Sequence, residues 1–185
     1  MRYFHWSGIL LVVAFIAGAL VGPTVALAES AAEIDRNVQS ALATLYEKSS
    51  SAKIMGETAK GILVFPGIYK AGFIVGGQYG EGALLVNGKT AGYYNTVQGS
   101  FGLQIGAQKF GYALFFMNDS SREYLDKSDG WEVGVGPTIV VVDVGASGAA
   151  TTTTLKADVY AFFFSQKGLM GGLGLQGTKI TKLNK

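Results

Sequence analysis

The hydrophobic pattern changes period once along the chain, near residue 61. Before it, Ile34, Val38, Leu42, Leu45 and Tyr46 fall at i, i+4, i+8, i+11 and i+12, one stripe of a helix. Ser30 with Glu33 three residues on makes an S-x-x-E capping box. Glu33 and Asp35 suit the positive end of the helix dipole, and Lys48 suits the other end. The spacing predicts a helix over Ala31 to Lys48, broken by Ser49-Ser50-Ser51. A second short helix is predicted over about Ala52 to Lys60, with Ile54 and Met55 as its apolar contacts and Gly61 as its stop.

From Ile62 on, β-branched and aromatic residues dominate and glycines recur every few positions, which suits strands and bulges rather than long helices. Ile62 to Phe65 and Phe73 to Val75 read as sheet core, with Phe65-Pro66-Gly67-Ile68-Tyr69 as a turn between Lys60 and Lys70. Asn87-Gly88 supplies the two positive-φ residues of a type I′ hairpin spanning Ala83 to Tyr94. Strands are also predicted over Thr96 to Ala107 and Phe110 to Asn118, joined near Gln108-Lys109. Two more, Glu132 to Val135 and Thr138 to Val144, flank Gly136-Pro137. The last two, Lys156 to Ser165 and Leu169 to Lys179, are paired across Gln166-Lys167-Gly168. Ser120 to Lys127 is polar, with Ser120 as a cap for one or two helical turns, and residues 145–154 read as an exposed loop.

In the run from Gly111 to Met117, Tyr112, Leu114 and Phe116 share one face, and Ala113, Phe115 and Met117 share the other. A sheet wetted on one side alternates apolar with polar. Both faces of this strand therefore need cover, from the N-terminal helices, a second layer, or lipid. The expected fold is α+β: N-terminal helices packed on a twisted antiparallel sheet, curled into a partial barrel. It forms one domain over residues 29–185, helical over 31–60 and mainly β over 61–182.

Composition adds a compartment. Arg2, the apolar run from Ile9 to Val21, the break at Gly22-Pro23 and Ala26-Leu27-Ala28 have the layout of a secretory signal peptide over residues 1–28. As a helix the 13-residue run reaches about 20 Å, against about 30 Å for a hydrocarbon core, which disfavours an uncleaved anchor. The expected location is secreted or periplasmic, with peripheral membrane association. Beyond Ala28 the chain holds 14 Lys plus Arg against 13 Asp plus Glu, with no basic stripe of the kind nucleic acid requires. The single histidine, His5, lies in the leader and there is no cysteine. Zinc sites of Cys and His, Cys-His nucleophiles and Ser-His-Asp triads are thereby excluded from the remaining chain.

Three short motifs carry little. Gly172-Leu-Gly174-Leu-Gln-Gly177 matches G-x-G-x-x-G, but it precedes the strand-like alternation of Thr178 to Lys182 rather than a helix, and too little chain follows for the acidic partner. Ser50-x-x-Lys53 matches the nucleophile motif of penicillin-binding enzymes. Ser128-Asp129-Gly130 and Lys89-Thr90-Ala91 match the second and third motifs only loosely, and in the wrong order. Asp143 and Asp158 lie in apolar strands, where burial would raise a carboxyl pKa, although an outward-facing or strand-end position is the commoner case. The chain is read as a non-enzyme with no cofactor and no metal.

Gly61-Ile-Leu-Val-Phe-Pro66, Lys70-Ala71-Gly72, Gly76-Gly77 and Gly80-x-Gly82 resemble the start of the SYLF domain, also called the Ysc84 domain. Tyr93-Tyr94-Asn95-Thr96, Gly102-Leu-Gln-Ile-Gly106, Gly136-Pro137 and Ser165-Gln-Lys-Gly-Leu169 followed by Gly171-Gly172 resemble its secreted bacterial branch. The similarity runs from about residue 40 to 180. It implies a membrane-lipid-binding module without known catalysis. Eukaryotic members bind phosphoinositides with the help of a basic amphipathic N-terminal segment, and some engage actin. Here Tyr93-Tyr-Asn-Thr96 replaces the Trp-Ser-x-Pro segment, and residues 29–60 carry four positive and five negative side chains, so phosphoinositide specificity is not implied.

The expected function is lipid binding in the cell envelope, either by adsorbing to a phospholipid surface or by holding a lipid. The alternative is a structural or protein-interaction module that engages an envelope protein through a sheet edge. Lys48, Lys53, Lys60 and Lys70 are the candidates for head groups, and Ile54, Met55, Phe65 and Tyr69 for apolar contact. Residues 44–72 have a net charge of +2, worth about 2 kcal/mol at an anionic surface, so apolar insertion has to supply the remainder.

Overall fold

A computed structural model of the chain describes residues 29–72, 75–101, 106–127, 130–142, 157–168 and 174–185. The leader, Phe73, Asp143, Ser128-Asp129 and the 145–154 loop lie outside them.

Helix α1 spans Ala31–Lys48, and the Ser30 hydroxyl accepts the Glu33 N–H at 3.3 Å. Ser49 does two jobs. Its N–H closes α1 on the Leu45 carbonyl, and its hydroxyl accepts the Ala52 N–H at 3.1 Å, capping α2 (Ser50–Thr58). The serine run is thus a shared cap rather than a linker, and α2 starts two residues earlier than its apolar pattern suggests. Ile34, Val38, Leu42 and Leu45 of α1 and Ala52 and Met55 of α2 are buried against one face of the sheet.

Eight strands are described: β1 (Gly61–Gly72), β2 (Val75–Val86), β3 (Lys89–Phe101), β4 (Gly106–Phe116), β5 (Trp131–Glu132), β6 (Ile139–Val142), β7 (Val159–Gly168) and β8 (Lys179–Leu183). Helix α3 (Asp119–Lys127) follows β4, and Asn118, not Ser120, caps it by accepting the Ser121 N–H at 2.8 Å. The strands form one curled sheet in the order β5-β8-β3-β2-β1-β4-β7-β6, an α+β half-barrel. The Asn87-Gly88 hairpin forms as expected, with φ of 51° and 75°.

Three expectations are corrected. First, Gln108-Lys109 is not a turn; β4 runs through it, pairing Gln108 with Lys70 and Lys109 with Tyr69. Second, β7 and β8 are not a hairpin. They lie on opposite sides of the sheet, β7 against β4 and β8 against β3, and β6 joins β7 in parallel. Third, Phe65 to Tyr69 is not a turn. β1 is one continuous strand, and its registers slip between Val64 and Tyr69 on one side and between Phe65 and Ile68 on the other. Pro66 has no N–H to give a central strand, so the ladder opens into a bulge around Pro66-Gly67 and resumes.

That bulge shifts the alternation of β1. Leu63, Phe65 and Ile68 face a core shared with Tyr112, Leu114, Phe116, Trp131 and Leu175, whereas Ile62 and Val64 face the helices. Both faces of β4 are therefore covered: α1 and α2 lie on one, and α3 with the segments around Trp131 and Leu175 lie on the other. Each fully buried apolar side chain contributes roughly 1.5–3 kcal/mol.

Candidate functional site

The eight residues singled out from sequence do not form one site. Met55 is 2 % exposed and Phe65 0 %, with the Phe65 ring 4.9 Å from that of Tyr112, so both are core. Lys70 is 8 % exposed, on the face of the sheet away from the helices. Burial removes these three from any surface contact. Lys48, Lys53, Ile54 and Lys60 are exposed at the α2 corner, beside exposed Glu47 and Glu57 that offset much of their charge. Tyr69 is 60 % exposed but lies toward the other end of β1, about 25–30 Å of strand from Lys60.

Tyr69 belongs to a row that only the register reveals. Lys179, Val97, Tyr79, Tyr69, Lys109 and Lys167 are consecutive cross-strand partners over β8, β3, β2, β1, β4 and β7. All six are exposed. The row lies on the helix side of the sheet, beyond the cover of α1. It spans five inter-strand steps, about 24 Å. Two tyrosines and a valine occupy its middle and lysines stand at both ends; beyond Lys179 the row continues to the exposed carboxylate of Glu132 on β5.

Its centre is ordered. The Lys109 ammonium stands 4.7 Å from the Tyr69 ring centroid and donates to the Tyr69 hydroxyl at 2.9 Å. A cleft of about 290 Å³ opens between this pair and α1, lined by Asn37, Ser40, Thr44, Pro66, Tyr69 and Lys109 among others. Tyr79 donates to Glu81 at 2.7 Å, and its pKa is pushed up to about 12 by burial and by that carboxylate. Burial alone would raise the Glu81 carboxyl, but hydrogen bonds from Lys185 and Tyr79 outweigh it and hold the pKa low. Glu81 is thereby engaged with Lys185 at 2.5 Å, and the only carboxylate that continues the row among the described residues is Glu132, opposite Lys179.

The other sequence candidates have structural roles. Asp158 accepts from the Thr138 N–H at 2.9 Å, the Thr138 hydroxyl at 2.8 Å and the Asn118 amide at 2.8 Å, and these bonds lower its pKa. Asp158 thus sits at a strand end, the commoner of the two positions considered for it, as an ionised clamp between the starts of α3, β6 and β7. Gly177 has a φ of 74° in a turn that leads into β8, so no helix follows that glycine motif. Among the described residues no cluster of three or more His, Cys, Asp or Glu could hold a metal ion. No described helix is long and apolar enough to cross a membrane.

Residues 97–185 match the family model Ysc84, described as Las17-binding protein actin regulator. That match covers β4 to β8 and the end of β3, including Val97, Lys109, Lys167 and Lys179 of the row. No curated protein matches the chain. Ysc84 is not a known enzyme family. Over residues 97–185 the chain is similar to the Ysc84 (SYLF) domain.

Proposed function

We propose that the protein is a non-catalytic lipid-binding protein of the cell envelope, exported by its leader, that adsorbs to anionic phospholipid surfaces through the row from Lys179 to Lys167. The observation that carries this reading is an exposed strip with tyrosines at its centre, Lys109 and Lys167 at one end, and Lys179, faced by Glu132, at the other. Tyrosine suits the membrane–water interface because its ring is amphipathic, and lysines at an anionic surface add about 1 kcal/mol each. Lys109 and Lys167 give about 2 kcal/mol, since Glu132 offsets Lys179, and the half-exposed rings of Tyr69 and Tyr79 add apolar contact. The α2 corner, with Lys48, Lys53, Ile54 and Lys60, is a weaker second contact because Glu47 and Glu57 stand among its lysines. Co-sedimentation with vesicles of anionic and of neutral phospholipid at low salt tests this. Binding that favours anionic vesicles and falls with added salt is expected, and no binding to either at low salt would sink the reading.

A second reading rests on different observations. The matched family is described by a protein partner, and among the described residues β6 is an edge strand paired on one side only, with Val140 45 % and Val141 52 % exposed. An envelope protein adding a strand there is the alternative. It predicts binding that is indifferent to lipid and is lost when Val140 is replaced by proline.

A further inference from the structure

A cleft of about 430 Å³ opens at the opposite end of β1 from the tyrosine–lysine row, between α1, the last turn of α2 and the Asn87-Gly88 hairpin. That volume is within the range of small-ligand pockets. Leu42, Ile62, Leu85 and the Tyr46 ring give it apolar walls, and the first three are buried core. Gln39, Glu57 and Asn87 supply its polar side chains, and Glu57 is the one charged residue among the described residues that line it.

Its two strongest polar groups are unspent. Tyr69, Tyr79, Tyr93, Tyr94, Tyr112 and Tyr160 each hydrogen-bond through the hydroxyl, whereas the Tyr46 hydroxyl bonds to no described residue. It lies instead against the backbone of Gly56, where a Cβ would overlap it. Glycine inside a helix costs stability relative to alanine, and here it makes the room in which that hydroxyl stands. Glu57 is also unpaired. Lys53 stands four residues before it and Lys60 three after, yet no described Lys or Arg comes within 4.0 Å of its carboxylate. Burial pushes the Tyr46 pKa up, and the Glu57 charge pushes it the same way, so the phenol stays protonated beside a carboxylate.

The backbone agrees in sign. α2 ends at the cleft, with Gly56, Glu57 and Ala59 among the lining residues. The C-terminus of a helix is the negative end of its dipole, and α2 has no basic residue in its last turn.

We infer that this cleft binds an organic cation, a primary ammonium group on a short apolar stem. The ammonium pairs with the Glu57 carboxylate and donates to the Tyr46 oxygen, at the negative end of α2. The stem lies along Leu42, Ile62 and Leu85, and Gln39 and Asn87 offer further amide acceptors. An anion is repelled by both Glu57 and the helix end, and an uncharged ligand leaves Glu57 unmatched. A free alkyl amine and the side chain of a lysine in a partner protein share this chemistry.

Calorimetric titration of the full chain at neutral pH and low salt tests it, with hexylamine and Nα-acetyl-lysine amide as probes and hexanol and hexanoate as controls. At least one amine should bind, at least about tenfold more tightly than either control. Binding of acetyl-lysine amide identifies a lysine side chain as the ligand, and binding of hexylamine alone identifies a free amine. Glu57→Gln keeps the size of the side chain and should lose at least about tenfold in amine affinity. Tyr46→Phe keeps the ring over Gly56 and should lose about threefold to tenfold. Each variant alters a group with no partner in the fold, so Tm without ligand should stay that of the wild type. Should Tyr46→Phe lower Tm, Glu57→Gln, on an exposed side chain, carries the test alone. The titration uses no vesicle and alters no residue of the row, so its outcome is independent of the membrane contact. No binding of either amine, hexanol binding as tight as that of the amines, or undiminished amine binding by Glu57→Gln overturns the inference.

Discussion

Neighbouring residues of β3 look to opposite sides, and Tyr93 and Tyr94 each use this to hold a helix. Tyr93 donates to Asp35 of α1 at 3.0 Å, and Tyr94 donates to Asp126 of α3 at 2.8 Å. Two residues on, the Thr96 hydroxyl accepts from Tyr112 at 2.7 Å inside the core. The Tyr-Tyr-Asn-Thr segment is thus a docking motif for both layers. Asp158 does comparable work at the other side of the sheet. Asp158→Ala should cost about 1–2 kcal/mol, a value discounted because the site is partly exposed. Its pKa is lower in the folded chain than in the unfolded one, so its contribution is complete above the unfolded value of about 3.9 and is lost as pH falls through the folded value. Urea midpoints of wild type and variant should differ at pH 7 and converge well below pH 4.

Among the elements, the β1–β2 pair is the least tolerant. A Cβ on Gly82 would stand 2.1 Å from the Val64 carbonyl oxygen and 2.8 Å from Phe65, beside the Pro66-Gly67 bulge. The neighbour is backbone in a central strand and cannot move aside. Gly82→Ala should therefore cost about 3 kcal/mol, the upper end of overpacking, in chemical denaturation. Alanine at Gly99, with nothing within 4 Å of its added Cβ, should be nearly neutral. The same contrast shows which features the sequence made legible. The two helices, the Ser30 cap and the Asn87-Gly88 hairpin follow from contacts within a few residues and are legible in the sequence, whereas the Ser49 cap is not. The bulge, the separation of β7 from β8 and the parallel β6 depend on pairing across the chain. Pro66-Gly67 has the composition of a turn, and only its place in a central strand makes it a bulge. The bulge sets which of Ile68, Tyr69 and Lys70 is wet: a turn would expose Phe65 and Lys70, whereas the continuous strand buries them. Tyr79, Val97, Lys109, Lys167 and Lys179 are scattered over a hundred residues, and no spacing in the sequence announces that they adjoin.

For the whole molecule, the sheet explains why both faces of β4 are apolar: each meets its own layer, α1 and α2 on one side and α3 with the Trp131 and Leu175 segments on the other. Among the described residues neither layer covers the helix-side surface at the far end of the sheet, where Tyr69 and Tyr79 stand between lysines. The central claim is that this strip is the membrane contact. Its most direct test is the affinity of the Lys109→Ala/Lys167→Ala variant for anionic vesicles at low salt, beside Lys48→Ala/Lys53→Ala at the α2 corner. At about 1 kcal/mol per lysine, the strip variant should bind about thirtyfold more weakly than wild type, and the corner variant should lose clearly less. Equal affinity of the strip variant and the wild type, or a larger loss at the α2 corner, would contradict the account.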